Sequence, residues 1–501
     1  MTSLQHLIEG FSIVLTPLSL LYCFLGCLWG TTIGVLPGIG PLGGMALLLP
    51  LTFKLDPTSS IIMLAGIFYG AMYGGSTTSV LLNIPGEAAS IVTCLDGYQM
   101  ARSGRAGPAL VVAAMGSFVG GTLSIMALMF FAPALAQVML KVGPAEEFSL
   151  MILALLVVAF VGSSNALKTI AMVILGLLIA TVGMDPFTGH LRFNFGYLAF
   201  ASGIDFVPMA IGLFGLSEIL INFENIANVE VIKPSFRTLL PRWKDLKDSW
   251  GSMLRGSGIG IVFGFLPGAS HIISTFVSYA LEKKISKHPE EFGKGRIEGV
   301  AGPESANNAT TGTSLVPMLV LGIPPLPATA LLMSALIIHG ITPGPQLIQD
   351  HPDIFWGLIA SMYIGNIVLL ILNLPLVSIF VNFLRIPYTY LAPSILTLMI
   401  VGVYSINTNT ADILLMVLFG IIGYVLRKFR FDMAPLILAA VLGDKMEMSF
   451  RRALTISDGS LWIFVKSSTS KIFMVAVILI LLLQGMAWLM GFRRRMAEEE
   501  G

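Results

Sequence analysis

Long apolar stretches separated by short polar ones dominate the chain, and stretches without a single charge cover residues 10–53, 107–140, 148–167, 354–384, 386–411 and 472–490. A helix needs roughly 20 apolar residues to cross a hydrocarbon core about 30 Å thick, and each stretch supplies about that length. Barrel strands would instead alternate polar and apolar positions over shorter segments. The pattern therefore predicts an all-α polytopic membrane protein with about 10–12 transmembrane segments. The polar stretches at 222–256 and 282–304 are too short to build a core of their own, so no extramembrane domain is expected.

Composition agrees with the pattern. Of 501 residues 55% are hydrophobic and only 11% charged, against about 25% charged in soluble domains, and the mean hydropathy is +0.86. A net charge of +1, without a basic face, excludes a nucleic-acid binder. Cys23, Cys27 and Cys94 lie in or beside apolar segments, and with no His or carboxylate beside them they read as packing residues rather than metal ligands. Met1–Gly10 carries no Lys or Arg ahead of the first apolar stretch, so that span is expected to be retained rather than cleaved.

An internal repeat divides the chain. Gly34-Val35-Leu36-Pro37-Gly38 recurs as Gly264-Phe265-Leu266-Pro267-Gly268, and Leu82-Asn83-Ile84-Pro85 as Leu321-Gly322-Ile323-Pro324. Gly107-Pro108-Ala109-Leu110 recurs as Gly344-Pro345-Gln346-Leu347, and Asp205-Phe206-Val207-Pro208 as Asp432-Met433-Ala434-Pro435. The four offsets are 230, 239, 237 and 227 residues, in the same order along the chain. The reading is a first repeat over 1–235, an amphipathic cytoplasmic linker over 236–255, a second repeat over 256–460 and a last transmembrane helix over 471–490. Around the linker, Lys233, Arg237, Arg242, Lys244 and Lys247 interleave with Trp243 and Trp250, as expected of a segment lying along lipid headgroups.

Positive charge prefers the cytoplasmic side. Between the first and second proline motifs, half one carries only Lys54, while half two carries Lys283, Lys284, Lys287, Lys294 and Arg296. After the second motif the bias reverses, with Arg102 and Arg105 in half one and none between Gly322 and Asp353 in half two. Equivalent loops thus sit on opposite sides, and the repeats are inverted in topology. Counting spans puts Arg105, the linker, Arg385, Arg427–Arg430 and Arg493–Arg495 inside, and puts Lys445, Arg451 and Arg452 outside against the bias.

Each repeat has two places where Pro and Gly break an apolar stretch, the pattern expected of broken helices or re-entrant hairpins. Broken backbone in lipid leaves polar groups unsatisfied unless protein or a wet cavity surrounds them. At matching positions of inverted repeats, such breaks point to a substrate site near the midplane. Helix N-termini there offer amide donors to an anion and unwound carbonyls can hold a cation. The candidate substrate-binding residues are Gly38, Ser76, Thr77, Thr78, Asn83, Pro85, Gly86, Gly268, Ser270, His271, Asn307, Asn308, Gly322 and Pro324, and Asn83, Asn308, Thr311 and Glu304 are candidates for cation coupling. The bland reading remains beside it: Gly and Pro permit close helix packing, and Ser and Thr satisfy backbone carbonyls. His271 either binds an anion or relays a proton, or is a buried structural histidine; Glu87 is equally open, and Glu304 either couples a cation or caps or anchors the start of a helix. No zinc-protease His-Glu-x-x-His, Walker A loop or Gly-x-Ser-x-Gly elbow occurs, so neither catalysis nor ATP-driven transport by this chain is expected, and no cofactor beyond a coupling Na⁺ or H⁺.

Two long strings carry a resemblance. One runs Gly70-Ala71-Met72-Tyr73-Gly74-Gly75-Ser76-Thr77-Thr78-Ser79, through Asn83-Ile84-Pro85-Gly86-Glu87, to Asp96-Gly97-Tyr98. The other runs Gly299-Val300-Ala301-Gly302-Pro303-Glu304-Ser305-Ala306-Asn307-Asn308-Ala309, followed by Gly322-Ile323-Pro324 and Gly340-Ile341-Thr342-Pro343-Gly344-Pro345. With them the chain resembles the large membrane subunit of the tripartite tricarboxylate transporters, the TctA family, over essentially its whole length. The resemblance implies residence in the bacterial inner membrane, a small four-helix TctB-like membrane subunit and a periplasmic TctC-like solute-binding protein as partners, and uptake of an organic acid driven by an ion gradient. Two positions depart from the family pattern: Pro325 stands where Gly is usual, which stiffens the second tip, and Ser270-His271 stand where small residues are usual, which implies an altered substrate. The leading expectation is secondary active uptake of a di- or tricarboxylate by alternating access, with a broken-helix core moving elevator-like against a scaffold. The alternatives are a gated anion channel built on the same tips and, remotely, an intramembrane enzyme.

Overall fold

The computed structural model describes residues 3–36, 40–52, 54–161, 166–197, 200–224, 241–266, 271–376, 379–380 and 388–499. The described helices run, in order, α1 Ser3–Val14, α2 Pro17–Val35, α3 Gly40–Thr52, α4 Pro57–Leu82, α5 Ile91–Met100, α6 Ala106–Met139, α7 Pro144–Val161, α8 Ala166–Ala180, α9 Phe206–Ala210, α10 Ser217–Glu224, α11 Trp243–Gly264, α12 His271–Ile285, α13 Glu298–Thr313, α14 Pro327–Ile338, α15 Leu347–Asp350, α16 Pro352–Asn373, α17 Tyr388–Asn407, α18 Thr410–Lys428, α19 Ala434–Ile456 and α20 Ser468–Glu499. A two-residue pair of strands, Gly183–Met184 with Leu191–Arg192, is the sole sheet among the described residues. Five described helical segments are long and apolar enough to cross a membrane and five shorter ones are apolar. The protein is an all-α polytopic membrane protein.

Contacts group the chain into two compact units, Met1–Met139 with Asp205–Arg430, and Leu140–Ile204 with Phe431–Gly501. Both units draw on residues from each half of the sequence. In the larger unit α4 is the central helix. Asp56 caps it, accepting from the Ser59 amide at 2.9 Å, with Pro57 preset in its first turn, and every residue from Thr58 to Leu82 is buried. Helix α13 is as deeply buried, yet far more polar: Glu304, Ser305, Asn307, Asn308, Thr310, Thr311 and Thr313 all lie inside. An apolar helix in a core follows from hydrophobicity alone, whereas a buried helix rich in amides, hydroxyls and a carboxylate needs partners for each of them.

Glycines set the helix spacing. An ideal Cβ on Gly26, Gly30 or Gly34 of α2 would fall 2.3–2.5 Å from the carbonyl oxygens of Met63, Ile67 and Ala71 on α4. On α11, Gly256 and Gly260 approach the carbonyls of Gly302 and Ala306 on α13 at 2.2–2.3 Å by the same measure, and Gly264 approaches that of Thr310 at 2.8 Å. Absent side chains thus bring two helix pairs into backbone contact, the small-xxx-small mode of membrane helices. These two pairs stand at the same offsets, 230 and 239 residues, as the sequence motifs.

Helix α11 begins at Trp243, so residues 243–255 of the expected linker form its first turns, with Trp243 and Trp250 exposed; residues 225–240 lie outside the described residues. Polar links between distant segments join loops that the charge bias assigns to one side. Arg105 meets Asp245 at 2.7 Å, and Arg427 and Lys428 meet Glu218 and Glu224. Thr58 donates to Asp353 at 3.4 Å on the other side. In the smaller unit Arg451 pairs with Asp185 at 3.0 Å and with Glu447 at 2.7 Å. The Phe187 amide, ahead of the Thr188 amide and Arg451, holds the Asp185 carboxyl down at about 2, against the opposing effect of burial. Arg451, one of the three cations expected outside, is therefore held by acids of its own unit.

Candidate functional site

Helix α4 ends in a left-handed residue, Asn83, at φ 57° and ψ 29°, and the turn after α13 ends in another, Gly322, at φ 63° and ψ 31°. Asparagine and glycine are the residues that reach this conformation at low cost, so the two breaks share one backbone solution reached with different side chains. Each break leads through proline, Pro85 or Pro324, into a new helical start. After Asn83, Glu87 caps the next turn by accepting from the Ala89 amide at 2.7 Å. After Gly322, Thr329 and Leu326 close the first turn of α14, the Leu326 amide donating to the Thr329 hydroxyl at 3.0 Å.

The structure places the sequence candidates unevenly. Gly38, Gly268 and Ser270 lie outside the described residues. Ser76, Thr77 and Thr78 are buried on α4; Ser76 donates to Glu304 Oε2 at 2.6 Å, while Thr78 donates to its own helix at the Gly75 carbonyl at 3.0 Å, so it satisfies backbone. Asn83 is exposed at the break, Pro85 half-buried, and Gly86 buried where a Cβ would stand 2.3 Å from the Gly34 carbonyl. Pro324 and Gly322 are both buried. His271 opens α12, with Nε2 3.0 Å from the Thr311 hydroxyl and its ring edge-on to Phe68. Asn307 donates to Glu87 Oε1 at 2.9 Å, and its own Oδ1 is buried without a partner. Asn308 donates to the Glu304 carbonyl at 3.2 Å.

Asn308 and Thr311 border a small pocket of about 20 Å³, room for about one water-sized group, shared with Tyr69, Tyr73, Ser124 and Asn366. Its walls offer neutral oxygens and amides. The Tyr73 hydroxyl donates to Asn366 Oδ1 at 2.5 Å, and Asn366 in turn donates to the Phe118 carbonyl and the Thr122 hydroxyl at 3.0 Å. The Tyr69 hydroxyl has no hydrogen-bond partner among the described residues. Such a lining suits an anion's oxygens through amide and hydroxyl donors, or a small cation through oxygen lone pairs.

Several of these groups escaped the sequence reading. Thr93 and Ser117 join Ser76 around Glu304. Asn366 was detectable as one of the few amides in the charge-free stretch 354–384, and Ser117 as a hydroxyl among apolar and small residues of 107–140. Asp96 belongs to a quoted string but its role depends on a fold. Its Oδ1 accepts from the amides of Gly293, Gly295 and Arg296 at 2.7–2.9 Å and its Oδ2 from the Tyr279 hydroxyl at 2.9 Å.

An uncharacterised 52.8 kDa protein of the TAR-I ttuC' 3' region of Agrobacterium vitis is 49% identical over 465 residues, 93% of either chain. An uncharacterised protein of the TAR-II ttuC' 3' region of the same organism is 52% identical over 206 residues, 41% of this chain and 85% of that one. No solved structure matches. The family model for the tripartite tricarboxylate transporter TctA family matches residues 20–438, and the chain belongs to that family.

Proposed function

We propose that the chain is the permease subunit of a binding-protein-dependent secondary transporter that takes up a di- or tricarboxylate across the bacterial inner membrane, driven by an ion gradient. A TctB-like membrane subunit and a TctC-like binding protein complete it. The observation that carries this reading is the pair of left-handed helix ends, Asn83 and Gly322, at one repeat offset inside the larger unit. Two broken helices from inverted repeats, 1–235 and 256–460, would meet substrate with their new N-termini and tip backbone, and Asn83, Asn307, Asn308, Ser76 and Thr311 would supply side-chain contacts. Same-side pairing of distant loops, as between Arg105 and Asp245, supports the inverted topology.

The test is reconstitution with both partners in proteoliposomes and a screen of radiolabelled citrate, succinate and aromatic acids under imposed Na⁺ and pH gradients. Accumulation that collapses with the gradient is expected; flux that only equilibrates would instead make the protein a gated anion channel. Reporters fused after Arg105 and Arg495 should read cytoplasmic and one after Gln349 periplasmic. The same side for positions 105 and 349 would end the inverted-repeat reading.

His271 provides a sharper check, because its Thr311 contact puts it beside the polar pocket. A hydrogen bond to a charged group contributes roughly 1.5–3 kcal/mol, or about 10- to 150-fold in affinity. His271→Ala should raise the half-saturation constant by at least about tenfold with normal abundance, and His271→Gln should recover most of it. Loss of abundance with unchanged half-saturation in the surviving protein would make the residue structural.

A further inference from the structure

Glu304 is a buried carboxylate and Glu87 a half-buried one, on two rungs between the same pair of elements. Thr93, on the hairpin arm that follows the Asn83 break, donates to Glu304 Oε1, and Asn307, one turn along α13 from Glu304, donates to Glu87 Oε1 on that arm at 2.9 Å. Ser76 Oγ stands 2.6 Å from Glu304 Oε2 and Ser117 Oγ 3.5 Å from it, so among the described residues every side chain bonded to Glu304 is a hydroxyl. A hydroxyl donates to a carboxylate and, turned, accepts from a carboxylic acid. The cage thus satisfies Glu304 in either protonation state without moving a backbone atom. Asp96 shows the opposite design on the same arm, with three backbone amides that can only donate.

Asn307 extends the same property to Glu87. Its Oδ1 is a buried acceptor without a donor. A half-turn of the amide exchanges donor for acceptor and would receive a proton carried on Glu87. Buried polar groups rarely lack partners, and this orphan acceptor stands next to the Glu87 carboxyl, from which it could receive a proton.

Titratable groups near Glu304 include Tyr73 from α4 and Glu87 and Cys94 from the arm. Arg255 of α11 is bound to Glu282 of α12 at 2.7–2.8 Å, Asp96 is held by the loop before α13, and His271 is turned to Thr311. Among the described residues no Lys, Arg or His bonds to either carboxyl. Ser76 Oγ at 2.6 Å is a short hydroxyl–carboxylate bond, and hydroxyls that can donate or accept suit a carboxyl that gains and loses a proton.

We infer that Glu304, with Glu87 beside it across Asn307, is the proton-binding site that couples transport to a pH gradient. This rests on the transport reading above and names its coupling ion. An O–H bond forms on the carboxylate when the site faces the periplasm and breaks when it faces the cytoplasm; between those events the proton removes an uncompensated charge from the moving core.

The experiment uses proteoliposomes holding the full transporter with its partners, a pH dye trapped inside, and radiolabelled citrate and succinate as probes. Wild type is expected to accumulate the acid under an imposed pH gradient with matched proton entry. Glu304→Gln should lose that accumulation at least tenfold, and its residual uptake should no longer change with pH. Thr93→Val, which keeps the carboxyl and removes one hydroxyl, should shift the pH midpoint of uptake by roughly one unit. Wild-type accumulation driven by Na⁺ without proton entry, a Glu304→Gln protein that still responds to pH, or an unshifted Thr93→Val midpoint would each overturn the assignment while leaving transport intact. Failure of wild type to move either acid under any gradient would instead defeat the transport reading itself.

Discussion

Gly260→Ala should abolish most of the folded protein, and Gly258→Ala, two positions away on the same helix, should do nothing. At Gly260 a Cβ would stand 2.3 Å from the Ala306 carbonyl oxygen and 2.6 Å from the Ala309 Cβ, distances that real contacts do not reach; at Gly258 nothing lies within 4 Å. The obstacle is helix backbone, which cannot turn aside as a side chain does. Helices α11 and α13 would have to separate, and α13 carries the buried amides and hydroxyls whose partners lie on its neighbours. Overpacking costs about 1–3 kcal/mol, and separating these helices adds broken buried hydrogen bonds at about 1–3 kcal/mol each. Ser305, bonded to the Ser257 hydroxyl at 2.7 Å and the Met253 carbonyl at 2.8 Å, would be the first to lose them. Gly30→Ala on α2 should behave as Gly260→Ala does, because its Cβ would meet the Ile67 carbonyl at 2.5 Å. Monodisperse yield and thermal unfolding in detergent give the answer. Equal yields and melting for Gly258→Ala and Gly260→Ala would show that close approach does not set the helix spacing.

Those glycines also mark how much of the molecule was readable beforehand. Apolar run length gave the fold class, since lipid imposes helix wherever charge is absent for about 20 residues. Proline and glycine located the breaks, because their effect is local: Asn83 and Gly322 are left-handed where the motifs stood. The polar cluster of 304–314 was visible as composition, but composition does not say which hydroxyl turns inward on its own helix. Thr78 and Ser79 both donate to the Gly75 carbonyl, while Ser76, on the next face, reaches Glu304. Nor could spacing alone show that Glu304 takes its partners from α4, α5 and α6, or that Asn307 reaches Glu87, because these meetings depend on tertiary packing between segments roughly 200 residues apart. The weight given to His271 on chemistry alone finds it held by Thr311 and Phe68.

Asp96→Ala should be nearly as damaging as the glycine change, and its effect should appear at a different place. The Asp96 side chain is fully buried, yet its four donors come from the loop and helix that precede α13. Gly293 and Gly295, at φ 84° and 104°, fold the backbone so that neighbouring amides converge on one carboxylate oxygen, a conformation costly to side-chain-bearing residues. The clamp ties the arm after the Asn83 break to the loop before α13, on the side that the charge bias assigns to the cytoplasm. Removing the carboxylate leaves three amides and the Tyr279 hydroxyl without an acceptor, at about 1–3 kcal/mol for each one that water cannot reach; a total of about 3–5 kcal/mol is expected. Asp96→Asn should fall in between. Its carbonyl can still face the amides, and its NH₂ can donate to a rotated Tyr279 hydroxyl, so it loses charge assistance rather than partners. Tyr279→Phe removes one bond and should cost about 1 kcal/mol. Limited proteolysis within 286–297 reads the clamp directly: cleavage should accelerate in the order Tyr279→Phe, Asp96→Asn, Asp96→Ala, with transport falling in the same order. If Asp96→Ala resists protease and transports as wild type does, the clamp does not hold the arm to the loop, and the position of Glu87 and Thr93 beside α13 must be set by their own bonds to Asn307 and Glu304.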